Sequence, residues 1–175
     1  MIQFFSDFDN LFFQKDYDEF IKTLNLSSLK CSACELSGYC TNFAHYKRMI
    51  VIIDGKESIK ILRVQCGQCN TTHALLPSQI VPYSQILLED HVEIITQYEA
   101  GTAQHGITPS NPEIDIWIVV YIIKQYLKHW EARLRSNDIS LSSGIRELVL
   151  SCFKNHSRQF MQVKRGRNCL IQAPT

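Results

Sequence analysis

No apolar run in this 175-residue chain is long enough to span a bilayer. The longest, Ile114 to Ile123, is interrupted by Asp115 and falls short of the roughly 20 residues that a transmembrane helix needs. Nor does the opening segment read as a secretory signal. The opening MIQFFSDFDNLFF is aromatic, but Asp7 and Asp9 break it, no basic stretch precedes it and no small-residue cleavage site follows. H-E-x-x-H, a phosphate-binding glycine loop, a nucleophile elbow and paired carboxylates are all lacking, which argues against an enzyme. No repeat or low-complexity segment is present, and apolar and charged content are ordinary, so gross disorder is not expected. The absences leave a soluble, cytoplasmic, non-enzymatic protein of one ordinary domain or two small ones.

Lysine and arginine are absent from residues 84–118, which carry six acids: Glu89, Asp90, Glu93, Glu99, Glu113 and Asp115. The net charge of +1 hides this asymmetry. From residue 124 onward ten bases face only Glu131, Asp138 and Glu147, so the last third stands at +7. Such a third is the electrostatic footprint of a polyanion binder. It equally describes a solvated face paired against the acidic middle segment.

The pattern divides the chain into 1–30, 31–83, 84–157 and 158–175. Within the first part, residues 7–26 predict an amphipathic helix capped by Asp7 or Asp9, with Leu11, Phe12, Tyr17, Phe20, Ile21 and Leu24 at spacings of three and four. Residues 31–76 predict β structure: a strand from Tyr46 to Ile53, a tight turn at Asp54-Gly55, and a strand from Ser58 to Val64. From Ser84 the period becomes helical. One helix stops at Gly101, a turn-rich stretch runs to Pro112, and a long helix covers about 113–136. A weaker helical pattern opens at Ser140-x-x-Ser143 and continues through Phe153. Trp117 and Trp130 are expected on nearly one side of the long helix, with Trp117 buried against the helix 88–100 and Trp130 partly exposed. The predicted class is α+β, a small antiparallel zinc-ribbon hairpin followed by a helical, helix-turn-helix-like bundle.

Seven cysteines in a reducing compartment read as metal ligands before disulfides when they come as C-x-x-C pairs. Cys31 with Cys34, and Cys66 with Cys69, flank the predicted hairpin, whose closure brings the pairs together. Thiolates at i and i+3 reach one ion from a tight knuckle, and four of them satisfy tetrahedral zinc, with iron as the other candidate. The residue after the second cysteine of a knuckle often takes a left-handed conformation. Asn70 suits that role, whereas Glu35 tolerates it poorly. A four-thiolate site leaves no open coordination position and therefore stabilises rather than catalyses. Cys40, His45 and His73 are possible substitutes, though His73 reads better as a hydrogen-bonded strand histidine. Cys152 reads as core, and Cys169 is unassigned.

The helix–turn–helix order of residues 88–134 places Tyr121, Lys124, Gln125, Lys128 and His129 on a helix suited to the DNA major groove. Trp117, Val120, Ile123, Leu127 and Trp130 on the same helix describe a core element equally well. The string ILRVQCGQCNTTHALLPS at 61–78, followed by VPYS at 81–84, resembles a small, uncharacterised bacterial family associated with mobile elements. It is also similar to the N-terminal zinc-ribbon and helix-turn-helix modules of insertion-sequence transposases. The resemblance covers about 31–134. It implies Cys31, Cys34, Cys66 and Cys69 as zinc ligands and 113–130 as a recognition helix for double-stranded DNA. A transposase also needs carboxylates that hold divalent metals, and only Asp138 and Glu147 follow the long helix. The expected role is that of an accessory or regulatory DNA binder, with a transposase or recombinase as a further partner. Contacts are expected from Lys124, Gln125, Lys128 and Arg133, from Arg158, Lys164, Arg165 and Arg167, and from Lys47, Arg48, Lys60 and Arg63 on the hairpin. The alternative is a zinc-stabilised module that presents its acidic segment to a partner protein.

Overall fold

The computed structural model describes residues 1–4, 13–141, 144–156 and 160–161. It is an α+β fold with one four-stranded mixed sheet and several helices. Strand β1 (Ile2–Phe4) and helix α1 (Gln14–Thr23) come first, then β2 (Cys40–Ile52), β3 (Gly55–Cys66) and β4 (Thr72–Pro77). Helices α2 (Leu88–Glu99), α3 (Ile116–Gln125), α4 (Glu131–Ser136) and α5 (Ile145–His156) follow. The sheet order is β1-β4-β3-β2. β1 runs parallel to β4, and the other pairs are antiparallel.

The hairpin β2–β3 exists and is longer than its sequence pattern, because pairing continues from Ile52 opposite Gly55 down to Cys40 opposite Cys66. Gly55 supplies the positive φ of the turn, at +125°, a value that costs glycine little. The register shifts between Asn42 and Ala44. Phe43 is the extra residue there, exposed, with the Arg63 guanidinium 5.8 Å from its ring centre. A bulge of this kind re-aims side chains where a strand passes a site.

Helix α1 lies on this sheet through Tyr17, which is fully buried. Its hydroxyl accepts from the Leu62 N–H at 2.9 Å and donates to the Leu75 carbonyl at 3.1 Å, tying β3 to β4. The helix is shorter than the pattern over 7–26. Asp7, Asp9, Leu11 and Phe12 lie outside the described residues, and Phe13 stands at the N-cap. β1, an edge strand of three residues, has too few positions to show any period.

Two apolar clusters organise the molecule. One gathers Tyr17, Cys31, Cys66 and the sheet residues Ile59, Ile61, Val64 and Leu75. The other joins α2, α3, α4 and α5 through Ile94, Ile95, Ile122, Ile123, Leu134 and Leu148. The end of β2 stitches them together: Val51 belongs to the helical cluster while Ile50 belongs to the sheet cluster. Arg48 adds a clamp. Its guanidinium donates to the carbonyls of Val81 and Ser84, so this expected DNA contact is instead occupied in holding the crossover to the helices. Among the described residues no helix is long and apolar enough to cross a membrane.

The long helix is one continuous path with a fault in it. Asp115 caps α3, accepting from the Ile118 N–H at 2.9 Å, which places the start after the expected Glu113. Residues Tyr126–Trp130 form a π turn, and α4 carries on to Ser136. The expected burial of the indoles is reversed. Trp117 is 76% exposed and Trp130 only 6%. Thirteen residues at 100° each place the two about 140° apart on an ideal helix, so only one faces the core. Val119, Ile122, Ile123 and Tyr126 set the buried side, and Trp130 follows them. Its ring lies 5.9 Å from His91 and 6.1 Å, edge-on, from Phe160. Phe160 and Met161 are buried, although the sequence pattern placed them in a basic tail.

At the start of α2, Asp90 is 7% exposed and accepts a long hydrogen bond, 3.5 Å, from the Asn111 amide. Burial pushes its carboxyl up from 3.8 to about 6. A raised carboxyl contributes full stability only below about pH 4, and that contribution is lost as pH climbs through 6. Asp90→Asn is therefore expected to stabilise the fold by about 1–2 kcal/mol near pH 7.5, with the gain vanishing near pH 4. Chemical denaturation at both pH values measures it. A variant less stable than wild type near pH 7.5 would contradict the burial argument.

Candidate metal centre

The hairpin delivers Cys66 at the end of β3, and the chain then turns through Gly67-Gln68-Cys69-Asn70 into β4. The other pair sits in a turn before β2. The two turns are built alike. In the first, the Cys31 carbonyl accepts from the Glu35 N–H at 2.9 Å, and the Cys31 N–H donates to the Leu36 carbonyl at 2.9 Å. In the second, the Cys66 carbonyl accepts from the Asn70 N–H at 2.8 Å, and the Cys66 N–H donates to the Thr71 carbonyl at 3.0 Å. Each places a left-handed residue directly after its second cysteine: Glu35 at φ 65° and Asn70 at φ 55°. Glu35 takes this conformation although a β-carbon disfavours it. The Ala33 N–H also points at the Cys31 sulfur, 3.4 Å away.

The four Sγ atoms lie within 4.8 Å of one another, and among the described residues they are the one such cluster of metal-ligating side chains. Cys31 Sγ is 3.6 Å from Cys69 Sγ, and Cys34 Sγ is 3.7 Å from Cys66 Sγ. A tetrahedron of thiolates at zinc–sulfur distances of about 2.3 Å has edges of about 3.8 Å. The donor set and its spacing therefore fit one thiophilic ion, held by one sulfur pair from each turn. Thiolates must be available for that. Hydrogen bonds from the Thr71 side chain and backbone lower the Cys69 thiol to about 6, whereas the Cys34 thiol, despite a backbone hydrogen bond at Leu36 that lowers it, is pushed up to about 12 by burial and the neighbouring sulfurs.

His73 is placed beside the cluster and outside it. Fully buried on β4, it meets Cys31 Sγ with Nε2 at 3.1 Å, and its Nδ1 lies 2.9 Å from the Met1 nitrogen and 3.3 Å from Ser32 Oγ. With Nδ1 accepting from the Met1 nitrogen, Nε2–H donates to the sulfur. Burial, with the charge on that nitrogen, holds His73 down at about 4, so the ring is neutral. A hydrogen bond of this kind orients a ligand sulfur and tempers its charge. Cys40, opposite Cys66 in the sheet, is buried, and burial followed by the nearby Cys66 raises its thiol. It packs against the cluster as a protonated neighbour. His45 is exposed on β2, outside the cluster. Cys152 is in the helical core, where burial raises its thiol to about 11. Cys169 lies outside the described residues.

The residues expected to touch DNA are only partly brought together. Lys124 and Lys128 are exposed on the long helix, on the side opposite its buried face, and Gln125 is half-buried at the edge of that side. Lys47 is exposed on β2. Arg133 is half-buried, and its Nη1 donates to the carbonyl of Phe160, the residue packed edge-on against Trp130, at 3.0 Å. Arg158, Lys164, Arg165 and Arg167 lie outside the described residues. What sequence reasoning missed is that Trp117 stands on the exposed side beside Tyr121, which was already expected there. The sequence carries no signal for it, because residues 116–123 are all apolar or aromatic and only packing selects Val119, Ile122 and Ile123 as the buried run.

No curated protein and no solved structure matches the chain. Residues 31–110, which hold both cysteine pairs, the hairpin and α2, are similar to the family described as Domain of unknown function (DUF6431).

Proposed function

We propose that this chain is a non-enzymatic DNA-binding accessory or regulatory protein of a mobile element, in which a zinc-ribbon hairpin supports a helix-turn-helix-like bundle. Zinc is the ion assigned to Cys31, Cys34, Cys66 and Cys69, because four thiolates in a tetrahedral arrangement match its coordination preference. One observation carries the DNA reading. The outer side of the long helix is exposed and carries Lys124 and Lys128, with no acidic residue between Ile116 and Trp130. Phosphate contacts from such lysines position a protein on DNA, while Gln125 at the margin is of a type that reads base edges. A transposase or recombinase of the same element is the protein partner that the reading implies.

The test is binding to duplex DNA across a salt series. Each neutralised phosphate contributes about −0.9 to the slope of log K against log salt. Replacing Lys124 and Lys128 together by alanine is expected to make the slope shallower by nearly two and to weaken binding to all sequences alike. Wild-type protein that binds neither duplex nor single-stranded DNA even at low salt would sink the proposal. A second reading would then stand. Asp54, Glu89, Asp90 and Glu93 line a cleft of about 510 Å³ between the hairpin tip and α2, a surface suited to a basic segment of a partner protein.

A further inference from the structure

We propose that Trp117 and Tyr121 form a stacking platform for unpaired bases, so that the DNA this protein prefers presents single-stranded nucleotides rather than closed duplex alone. The inference rests on the DNA-binding reading above and names the form of its ligand.

The exposure is the first argument. Trp117 is 76% exposed and Tyr121 55%, whereas tryptophan is among the residues most buried on average. Neither ring serves the core. The buried side of the same helix is filled by Val119, Ile122, Ile123, Tyr126 and Trp130.

The second argument is spacing. At 100° per residue, Trp117, Tyr121 and Lys124 fall within about 60° of one another, and Lys128 is exposed one turn further along that side. Four residues rise about 6 Å along the axis, close to twice the 3.4 Å base step of a strand. Two rings at that separation accept one base between them or carry two successive bases.

Charge is the third. The platform is followed by Lys124 and Lys128 one and two turns on, where the backbone of a stacked strand needs cations. The acids Glu113 and Asp115 lie before it, and Asp115 is engaged as the helix cap. Aromatic rings continued by lysines along one narrow stripe are what binding to single strands requires: stacking on any base and attraction to the phosphates.

The experiment uses the full chain, an oligothymidylate of about 16 nucleotides and a blunt duplex of equal length. Tryptophan fluorescence reads both. Trp130 is shielded in the core, so quenching by the oligonucleotide reports Trp117. Wild type is expected to be quenched by the single strand and to bind it more tightly than Trp117→Ala by about 5- to 100-fold, the range that one stacked base supplies. Trp117→Phe should keep most of the affinity, because a ring remains. An exposed side chain leaves the melting temperature unaffected, so loss through unfolding is separated by a thermal scan. Duplex binding with no single-strand preference, no quenching and no effect of Trp117→Ala overturns the platform and leaves the DNA reading intact. Failure to bind either probe removes both. If wild type instead sediments as a dimer that Trp117→Ala converts to monomer, without quenching, the face is a self-association surface and the proposal is overturned.

Discussion

Replacing Cys66 by serine is expected to unfold the sheet half of the molecule, and stripping the ion with a strong chelator should do the same. Bound structural zinc contributes on the order of 10 kcal/mol to small domains, because the site hardly exists in the unfolded chain. That is comparable with the whole stability of an ordinary domain, about 5–15 kcal/mol. Cys66 ends β3, and both it and Cys31 have no exposed surface and belong to the same core as Ile59, Ile61 and Leu75. Loss of the ion therefore leaves a pocket of thiolates inside an apolar cluster. Elemental analysis of protein purified without chelator should give one zinc, or one iron, per chain. Hydrogen exchange should show the β2–β3 amides losing protection once the ion is removed. Protein without stoichiometric metal, or a Cys66→Ser variant that melts like wild type, would refute the assignment.

The second large effect separates two tryptophans of one helix. Trp130→Ala should cost about 3–5 kcal/mol, the range for a large ring removed from a packed core. Its loss strips His91 and Phe160 of their shared neighbour. Trp117→Ala should change stability by no more than about 0.5 kcal/mol, because an exposed side chain has little to lose. Denaturant midpoints of the two variants give the comparison, and acrylamide quenching of wild type should find one accessible and one protected indole. Equal costs would mean that the helix is turned differently from the arrangement described here.

What the chain discloses in one dimension follows the range of the forces involved. The cysteine pairs were legible because metal coordination demands residue type and spacing at once, and the knuckle after Cys69 was legible from Asn70. The hairpin was legible from Asp54-Gly55 and its flanking β-branched residues, and the stop of α2 from Gly101, whose φ is +90°. His73 could be read as a strand histidine, but its sulfur partner could not, because Cys31 is forty-two residues away. The buried side of the long helix was mistaken for the opposite reason. Nearly every position from Ile116 to Ile123 is apolar or aromatic, so no polar side marks the outer face, and only packing against α2 and Phe160 decides it. The carbonyl partners of Arg48 and Arg133 were equally illegible: a guanidinium that meets a phosphate and one that meets a backbone carbonyl look identical in a string of letters. The pairing of β1 with β4 had no local signal at all.

The π turn at Tyr126–Trp130 gives the long helix one residue more than its packing uses. The Glu131 N–H reaches back five positions to the Tyr126 carbonyl, and such turns behave as single-residue insertions in an otherwise regular helix. The helix can therefore be shortened at one place without being turned. A chain lacking His129 would close the fault into an ordinary turn and still aim Trp130 and Leu134 at the core. Taking out Arg133, by contrast, would rotate everything after it by about 100° and swing Leu134 away from its buried side. Length variation among natural versions of this chain, wherever it touches this helix, should fall between Tyr126 and Trp130.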